Sequence, residues 1–434
     1  MGVVVKEKTS RWIDYFNLVS KTRVAHPVLK EVQEKAITAF SDTGLPDKKT
    51  EDYKYTNIKL YLNEEFTPVT EVPQLKKSDI EPLLIKGHAT YVMVNGWHVK
   101  ELSQIENLPG EVAVKPLFDA LAEGDKIATA HFDKQVQKLA TPLAMLNTGL
   151  ATGGLFISIP DKYQCRVPIH ILNISISAQK LLANPRHLVH LGKASGLTLA
   201  ESYYSVNTKG KTFTNSVTEI VLEAAAALNI YIVQDENANA SQHNIHEVFV
   251  DKGGKLNSTV LCLDGGMVRN DMNVLLHGEN AEIHLNGLFA LQGNNHTDNH
   301  TLVEHFAPNC FSNELYKGIM EDASTGVFNG KIYVHPEAQK TNAYQSNKNV
   351  LLGDKSSIHT KPQLEIYADD VKCTHGTSTG RLNEDALFYL QSRGLNKDLA
   401  RKVLLQAFAN EILDTIKDGE LKAYLEHLMH RRVV

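Results

Sequence analysis

At 434 residues with 42% hydrophobic content, the chain is long enough for two or three structural regions around a real core. Its net charge of −5 and sequence pI of about 6.4 exclude a general nucleic-acid or anionic-membrane partner, which would require a broad excess of lysine and arginine. No run approaches membrane-spanning length, and Met1 to Lys6 offers neither an apolar signal region nor a myristoylation pattern. Cys165, Cys262, Cys310 and Cys373 are too few and too scattered for a disulfide framework, so a soluble protein of the reducing cytoplasm is expected.

In chain order, the first elements are helical. Trp12, Ile13, Phe16 and Val19 make an apolar face with Leu18 to one side, and Pro27 opens a second helix with Leu29, Val32 and Ile37 inward. Gly44-Leu45-Pro46 ends the pair. A charged run from Lys48 to Thr56 follows, read as a solvated connection anchored by Tyr53 and Tyr55. Ala89 to Gly96 predicts a strand, while Val114 to Leu121 and Ala130 to Leu139 predict helices. Residues 1–150 thus form a mixed, mostly helical region.

From Gly154 the pattern changes to short runs of Val, Ile and Leu broken by Gly, Asn, Asp and His. An apolar residue, a polar stretch and a return to apolar recur at Leu191 to Leu197, Leu222 to Leu228, Val250 to Leu256, Leu276 to Ile283, Met320 to Val327 and Leu352 to Ile358. Periods of roughly 20–50 residues built from strands indicate a solenoid. The fold expected over residues 151–380 is therefore mainly β, a right-handed parallel β-helix with about two short coils per repeat, flanked by helical regions. Its ends and edges would carry unpaired backbone groups that another element or chain must cover.

Residues 381–434 return to helical periodicity. Asn383 caps Glu384 to Arg393, Gly394 stands at the C′ position, and Asn396 caps a longer helix with Leu399, Val403, Leu404, Ala407, Phe408 and Ile412 on one side. A third helix spans about Leu421 to Met429. Docking of this module to a partner and packing on its own β-helix are both open.

Enzymatic signatures are absent. The nearest approach to a phosphate-binding loop, Lys209-Gly210-Lys211-Thr212, has Ser205 where the first glycine belongs, and neither a Gly-x-Ser-x-Gly elbow nor a His-Glu-x-x-His helix occurs. His296, Asp298, His300, Glu304 and His305 crowd into ten residues. They read as a polar ladder on the outer face, as a metal site, or, with His296, Asp298 and Glu304 lining a groove, as a carbohydrate-active site. Cys373 and His375 are two apart on an expected strand, so both side chains point to one face. Two readings stand: a packed cysteine beside a hydrogen-bonded histidine, or half of a metal site whose remaining ligands come from elsewhere.

The run Gln363 to Gly376, with Leu387 to Gly394, Tyr316 to Ile319, Val327 to Lys331 and His335 to Thr341, closely resembles the core signature of the SufB/SufD family of iron–sulfur cluster assembly proteins. Gly44-Leu45-Pro46 with Glu51 to Thr56 resembles the N-terminal motif of the SufD branch, with Tyr53 where a tryptophan is often found. The resemblance implies a non-catalytic β-helical scaffold subunit of a SufBCD-type complex. Such a subunit pairs with a SufB paralogue through the β-helix, or forms a homodimer in isolation, and binds the SufC ABC-type ATPase through its C-terminal helices. A transient Fe–S cluster would be shared at the SufB–SufD interface, with His375 as the carried-over residue and Cys373 as its companion. In a SufB-like chain the cysteine would lead instead. A flavin belongs to the family's range but has no motif here. The chain departs from the family pattern at Thr374 and Thr377-Ser378-Thr379.

Overall fold

The computed structural model describes residues 2–22, 27–62, 66–134 and 141–433. The body of the chain is a β-solenoid of about 8 turns. One sheet stacks Leu155–Ile159, Arg186–Leu191, Thr212–Leu222, Ala240–Val250, Met267–Leu276, His296–His305, Thr325–Val334 and Ser357–Ile366, each parallel to the next. The other stacks Ala89–Val94, Ile169–Ser175, Gly196–Ser205, Ala227–Asp235, Lys255–Asp264, Glu282–Leu291, Phe311–Met320, Asn342–Leu351 and Lys372–Gly380. Residues 196, 227, 255, 282, 311, 342 and 372 stand in register, so a coil closes every 27 to 31 residues. Each period is one coil with two long strands, where the sequence pattern suggested two short coils.

Alternation along each strand sends Leu228, Leu256 and Ile283 from one sheet, and Val248, Val274 and Val303 from the other, into a single apolar interior. One corner repeats the same backbone device. Ala194, Ala225, Gly253, Asn280, Asn309 and Lys340 all sit at positive φ, and each donates its N–H to the carbonyl of Ala224, Lys252, Glu279, Pro308, Gln339 or Asp370 in the following coil. The left-handed residue turns the chain, and the hydrogen bond locks the turn to its neighbour.

The N-terminal region folds onto this stack. Helix Gly2–Ser20 and helix Pro27–Thr43 bury Trp12, Phe16, Val19, Leu29, Ile37 and Phe40, with Gly44 at φ 72° after the second helix; Ile13 and Leu18 face outward. Val114 to Pro116 belongs to a strand, Ala113–Pro116, rather than to a helix. Pro116 lacks the N–H a helix interior needs, so the helix begins after it, at Leu117–Ala122. The helix expected over Ala130 to Leu139 lies partly outside the described residues; helix Lys126–His131 precedes it. The sheet runs on without a break across residue 150, because Ala89–Val94 pairs with Ile169–Ser175.

At the other end, helices Glu384–Ser392, Lys397–Leu413 and Gly419–Val433 follow the last coil, with Asn383 and Asn396 capping the first two. The long helix buries Leu405, Ala409, Ile412 and Leu413 against Leu261, Leu288 and Ile319 of the solenoid. This face is rotated from the expected one, which leaves Leu399 and Val403 outside. No helix among the described residues is long and apolar enough to cross a membrane.

Candidate functional site

The solenoid does not end as it proceeds. Each inner strand is bonded on both sides, whereas Ser357–Ile366 and Lys372–Gly380 are the terminal strands of their sheets and have a solenoid neighbour on one side only. Strand Thr325–Val334 alternates buried and half-buried residues, but in the last coil every residue of both strands is at least partly exposed. Ile366 and Tyr367 are exposed apolar side chains beside it. A Cβ built at Gly376 would meet nothing within 4 Å, so the end of the stack is open space.

Cys373 and His375 stand on this terminal strand, above Ala343 and Gln345. The Cys373 position continues the inward column Leu256, Ile283, Ser312 and Ala343, and its half-buried sulfur packs against the apolar interior. Burial pushes its thiol up from the usual cysteine range. His375, two residues on, takes the same inward direction, but among the described residues no further coil covers it, and it is exposed. The two expected site residues are thus on one face, at the mouth of the solenoid. Thr360 and Thr377 approach each other across that mouth at 3.3 Å.

Beneath the mouth lies a polar file that the sequence reading missed. Gln345, buried under His375, donates to Glu314 Oε1 at 3.1 Å, and Thr301 donates to the other Glu314 oxygen. Complete burial pushes the Glu314 carboxyl up to about 7, with the Thr301 and Gln345 hydrogen bonds pulling the other way. Further in, the Cys262 thiol donates to Gln234 Oε1 at 2.9 Å, and Asn270 ties Gln234 to Asn299. Burial raises the Cys262 thiol to about 12, so it is a neutral hydrogen-bonding group.

The His296 to His305 group is split by strand alternation. His305 points inward to Ser312 Oγ at 3.0 Å. His296, Asp298 and His300 lie on the outer side, as the ladder reading had it, yet the Lys48 to Thr56 segment covers much of them. Thr56 bonds to His296 and Asp298, and Arg269 reaches Asp298 at 2.9 Å and Asp271 at 3.0 Å under the ring of buried Tyr53. Despite burial, His300 at 2.9 Å together with Arg269 holds the Asp298 carboxyl well below the usual carboxylate range, and Arg269 with His243 at 2.8 Å does the same for Asp271. Glu304 pairs with His335 at 2.7 Å instead of lining a groove with them. Tyr55 stacks on His359 with 4.2 Å between ring centroids, so the segment is an anchored cover rather than a solvated link.

A second exposed feature lies on the C-terminal helices. Phe388, Tyr389, Leu399 and Val403 are 73%, 57%, 48% and 41% exposed on consecutive helices, although the same module packs firmly on the solenoid. Lys317 and Lys348 both reach Glu411 at that contact.

Comparison with known proteins agrees with this architecture. Residues 174–408 match the family model described as SUF system FeS cluster assembly, SufBD core domain, and residues 6–171 match that of the SufBD protein N-terminal region. The chain is 30% identical to the iron–sulfur cluster assembly protein SufD of Escherichia coli, over 88% of this chain and 87% of the relative. It is 28% identical to the SufBD family protein slr0076 of Synechocystis over 94% and 92% of the two chains. It is also 25% identical to the chloroplastic protein ABCI7 of Arabidopsis thaliana, over 91% and 84%.

Proposed function

We infer, from the premise that this chain belongs to the SufB/SufD family of iron–sulfur cluster assembly proteins, that it acts as a SufD-type scaffold whose open solenoid end receives a SufB paralogue. The observation that carries this reading is the abrupt loss of burial at the last coil. Two strand edges and the inward-facing side chains of Ile358, Leu364, Cys373 and His375 lack the following coil that every earlier set possesses. A second β-helix adding its own terminal strands would satisfy those edges.

The nascent Fe–S cluster is the cargo of such a site. A thiol and an imidazole are two of the donors a cluster accepts, and a partner facing the mouth would supply the others. The donor set fits, with one cost: the raised Cys373 thiol must lose its proton to become a ligand, whereas an imidazole binds in its neutral form. His375 is therefore the readier donor of the two. The outward stripe of Phe388, Tyr389, Leu399 and Val403 is the surface we assign to a SufC-type ATPase, since an enzyme-free scaffold needs its nucleotide chemistry from another subunit.

Anaerobic reconstitution with candidate SufB and SufC partners tests this. His375→Ala should abolish most cluster loading while leaving the isolated chain's stability within about 0.5 kcal/mol, because the side chain is exposed. Cys373→Ala should have the smaller effect on loading. The reverse order would favour a SufB-like role, and unchanged loading in His375→Ala would remove the ligand assignment.

A further inference from the structure

Far from the open mouth, helix Lys126–His131 brings His131 against the flank of the solenoid, where it meets His190 of strand Arg186–Leu191 and Glu223, just past strand Thr212–Leu222. The two imidazole rings lie nearly parallel with centroids 5.3 Å apart. His190 Nε2 is 3.1 Å from Glu223 Oε1, and one ligand atom from each of the three residues lies within 4.8 Å of the others. Among the described residues this is the one such group of three.

We propose that His131, His190 and Glu223 form a zinc-class divalent metal site that clamps the N-terminal helical region to the solenoid. Two imidazoles and one carboxylate are the donors a borderline ion prefers, and three protein ligands leave a fourth position for water. Zn–N and Zn–O bonds of about 2.0–2.1 Å place tetrahedral ligands roughly 3.3 Å apart. The His190–Glu223 pair at 3.1 Å already meets that spacing, and the His131 ligand atom lies within 4.8 Å of both.

The surroundings support ligation. Ser158 Oγ lies 3.3 Å from His190 Nδ1, an outer partner that fixes the ring and leaves Nε2 aimed at Glu223. The Glu223 backbone N–H donates to Leu191 O at 3.0 Å, which holds the carboxylate beside the strand bearing His190. Elsewhere on this sheet the pairs His243–Asp271 and His300–Asp298 share the cation of Arg269. Glu223 has His190 as its ion-pair partner among the described residues. A metal ion would bridge His190 and Glu223 and add His131 to the link.

The site is independent of the cluster reading. Six strand steps of about 4.8 Å each separate Arg186–Leu191 from Ser357–Ile366, or roughly 29 Å. The test titrates the chelator-treated full chain with Co(II), whose absorption reports coordination, and then displaces it with Zn(II). Both wild type and Cys373→Ser/His375→Ala should bind one equivalent at this site, and Zn(II) should raise the melting temperature. His131→Ala and Glu223→Gln should weaken binding by more than the ~10–100-fold that outer partners control, and abolish the thermal shift. His430→Ala, an exposed imidazole elsewhere, should bind as wild type does. Glu223→Gln preserves side-chain shape, and the melting temperature without metal verifies that each variant folds. Binding that survives both ligand variants, that vanishes only with Cys373 and His375, or that never saturates would overturn the proposal.

Discussion

The coil of strands Phe311–Met320 and Thr325–Val334 and the coil of strands Ser357–Ile366 and Lys372–Gly380 are built on the same register, yet they live in different solvents. In the first, inward residues such as Tyr316, Phe328 and Ile332 are fully enclosed by coils on both sides. In the second, the same columns end in Thr377, Thr360 and Leu364, beyond which no further coil follows among the described residues. Identical strand geometry therefore serves stability in one place and availability in the other. A solenoid coil gains its free energy from neighbours, so the last coil is the least stabilised and the most able to gain from a partner.

The largest expected effect tests that difference directly. Leu256 is fully buried between Leu228 and Ile283, and Leu256→Ala should cost about 2–5 kcal/mol by lost transfer energy and cavity formation. Leu364 has Ile332 on one side and the open mouth on the other, so Leu364→Ala should cost about 1 kcal/mol in the isolated chain. Urea unfolding of the two variants measures the contrast. Equal costs would mean that the end is closed in solution, as a self-associated pair would make it, and sedimentation at two concentrations would then reveal the dimer.

How far the sequence disclosed this architecture depends on which face carries the signal. Leu191 to Leu197, Leu222 to Leu228, Val250 to Leu256 and Leu276 to Ile283 all cross the same corner between buried strand ends, which is why their spacing revealed the coil. The next crossing runs from His305 to Phe311 and has no apolar first member, so the apolar pattern skips it, and Met320 to Val327 and Leu352 to Ile358 cross the opposite corner. Gly253, Asn280 and Asn309 advertise their left-handed turns, whereas Ala194, Ala225 and Lys340 adopt the same φ without a compositional cue. On helix Lys397–Leu413, apolar residues occupy more than one side, so periodicity alone did not choose between Leu399 and Val403 outside and Leu405 and Ile412 inside. Cys373 and His375 were legible because period two puts them on one face. The interior placement of Gln345 and Glu314 was not, because polar residues in a strand ordinarily read as solvent-facing.

Glu314 sharpens the comparison at intermediate depth, two register steps beneath His375. Its folded pKa of about 7 lies above the ordinary value of 4.5. Between those values the folded state keeps the proton that the unfolded chain has lost, so stability from this group falls as pH rises from about 4.5 to 7 and then levels off. At about 1.4 kcal/mol per unit, the displacement corresponds to ~3 kcal/mol. Glu314→Gln keeps one donor and one acceptor group at every pH and should gain that much relative to wild type between pH 4.5 and 8, measured by urea unfolding across the range. A constant difference would place water at the carboxylate, and the open end would reach deeper than the last coil.

The cysteines give the finest division of the two regions. Cys262 and Cys373 both have thiols raised by burial, so thiolate fraction alone slows both at neutral pH. Access separates them. Cys262 is sealed among Gln234, Asn270 and the apolar interior, and a small alkylating reagent reaches it only when the stack opens. Cys373 borders the mouth and needs no unfolding. Mass spectrometry of the folded chain should find Cys373 modified faster by a factor on the order of 10³ or more, the range set by the population of unfolded molecules. A partner seated on the last coil should erase that advantage. Loss of the difference upon pairing, with Cys262 unchanged, would locate the interface at the terminal strands independently of any cluster chemistry. Rapid labelling of both cysteines in the free chain would instead show that the coils open together, and the contrast between enclosed and terminal coils would fail.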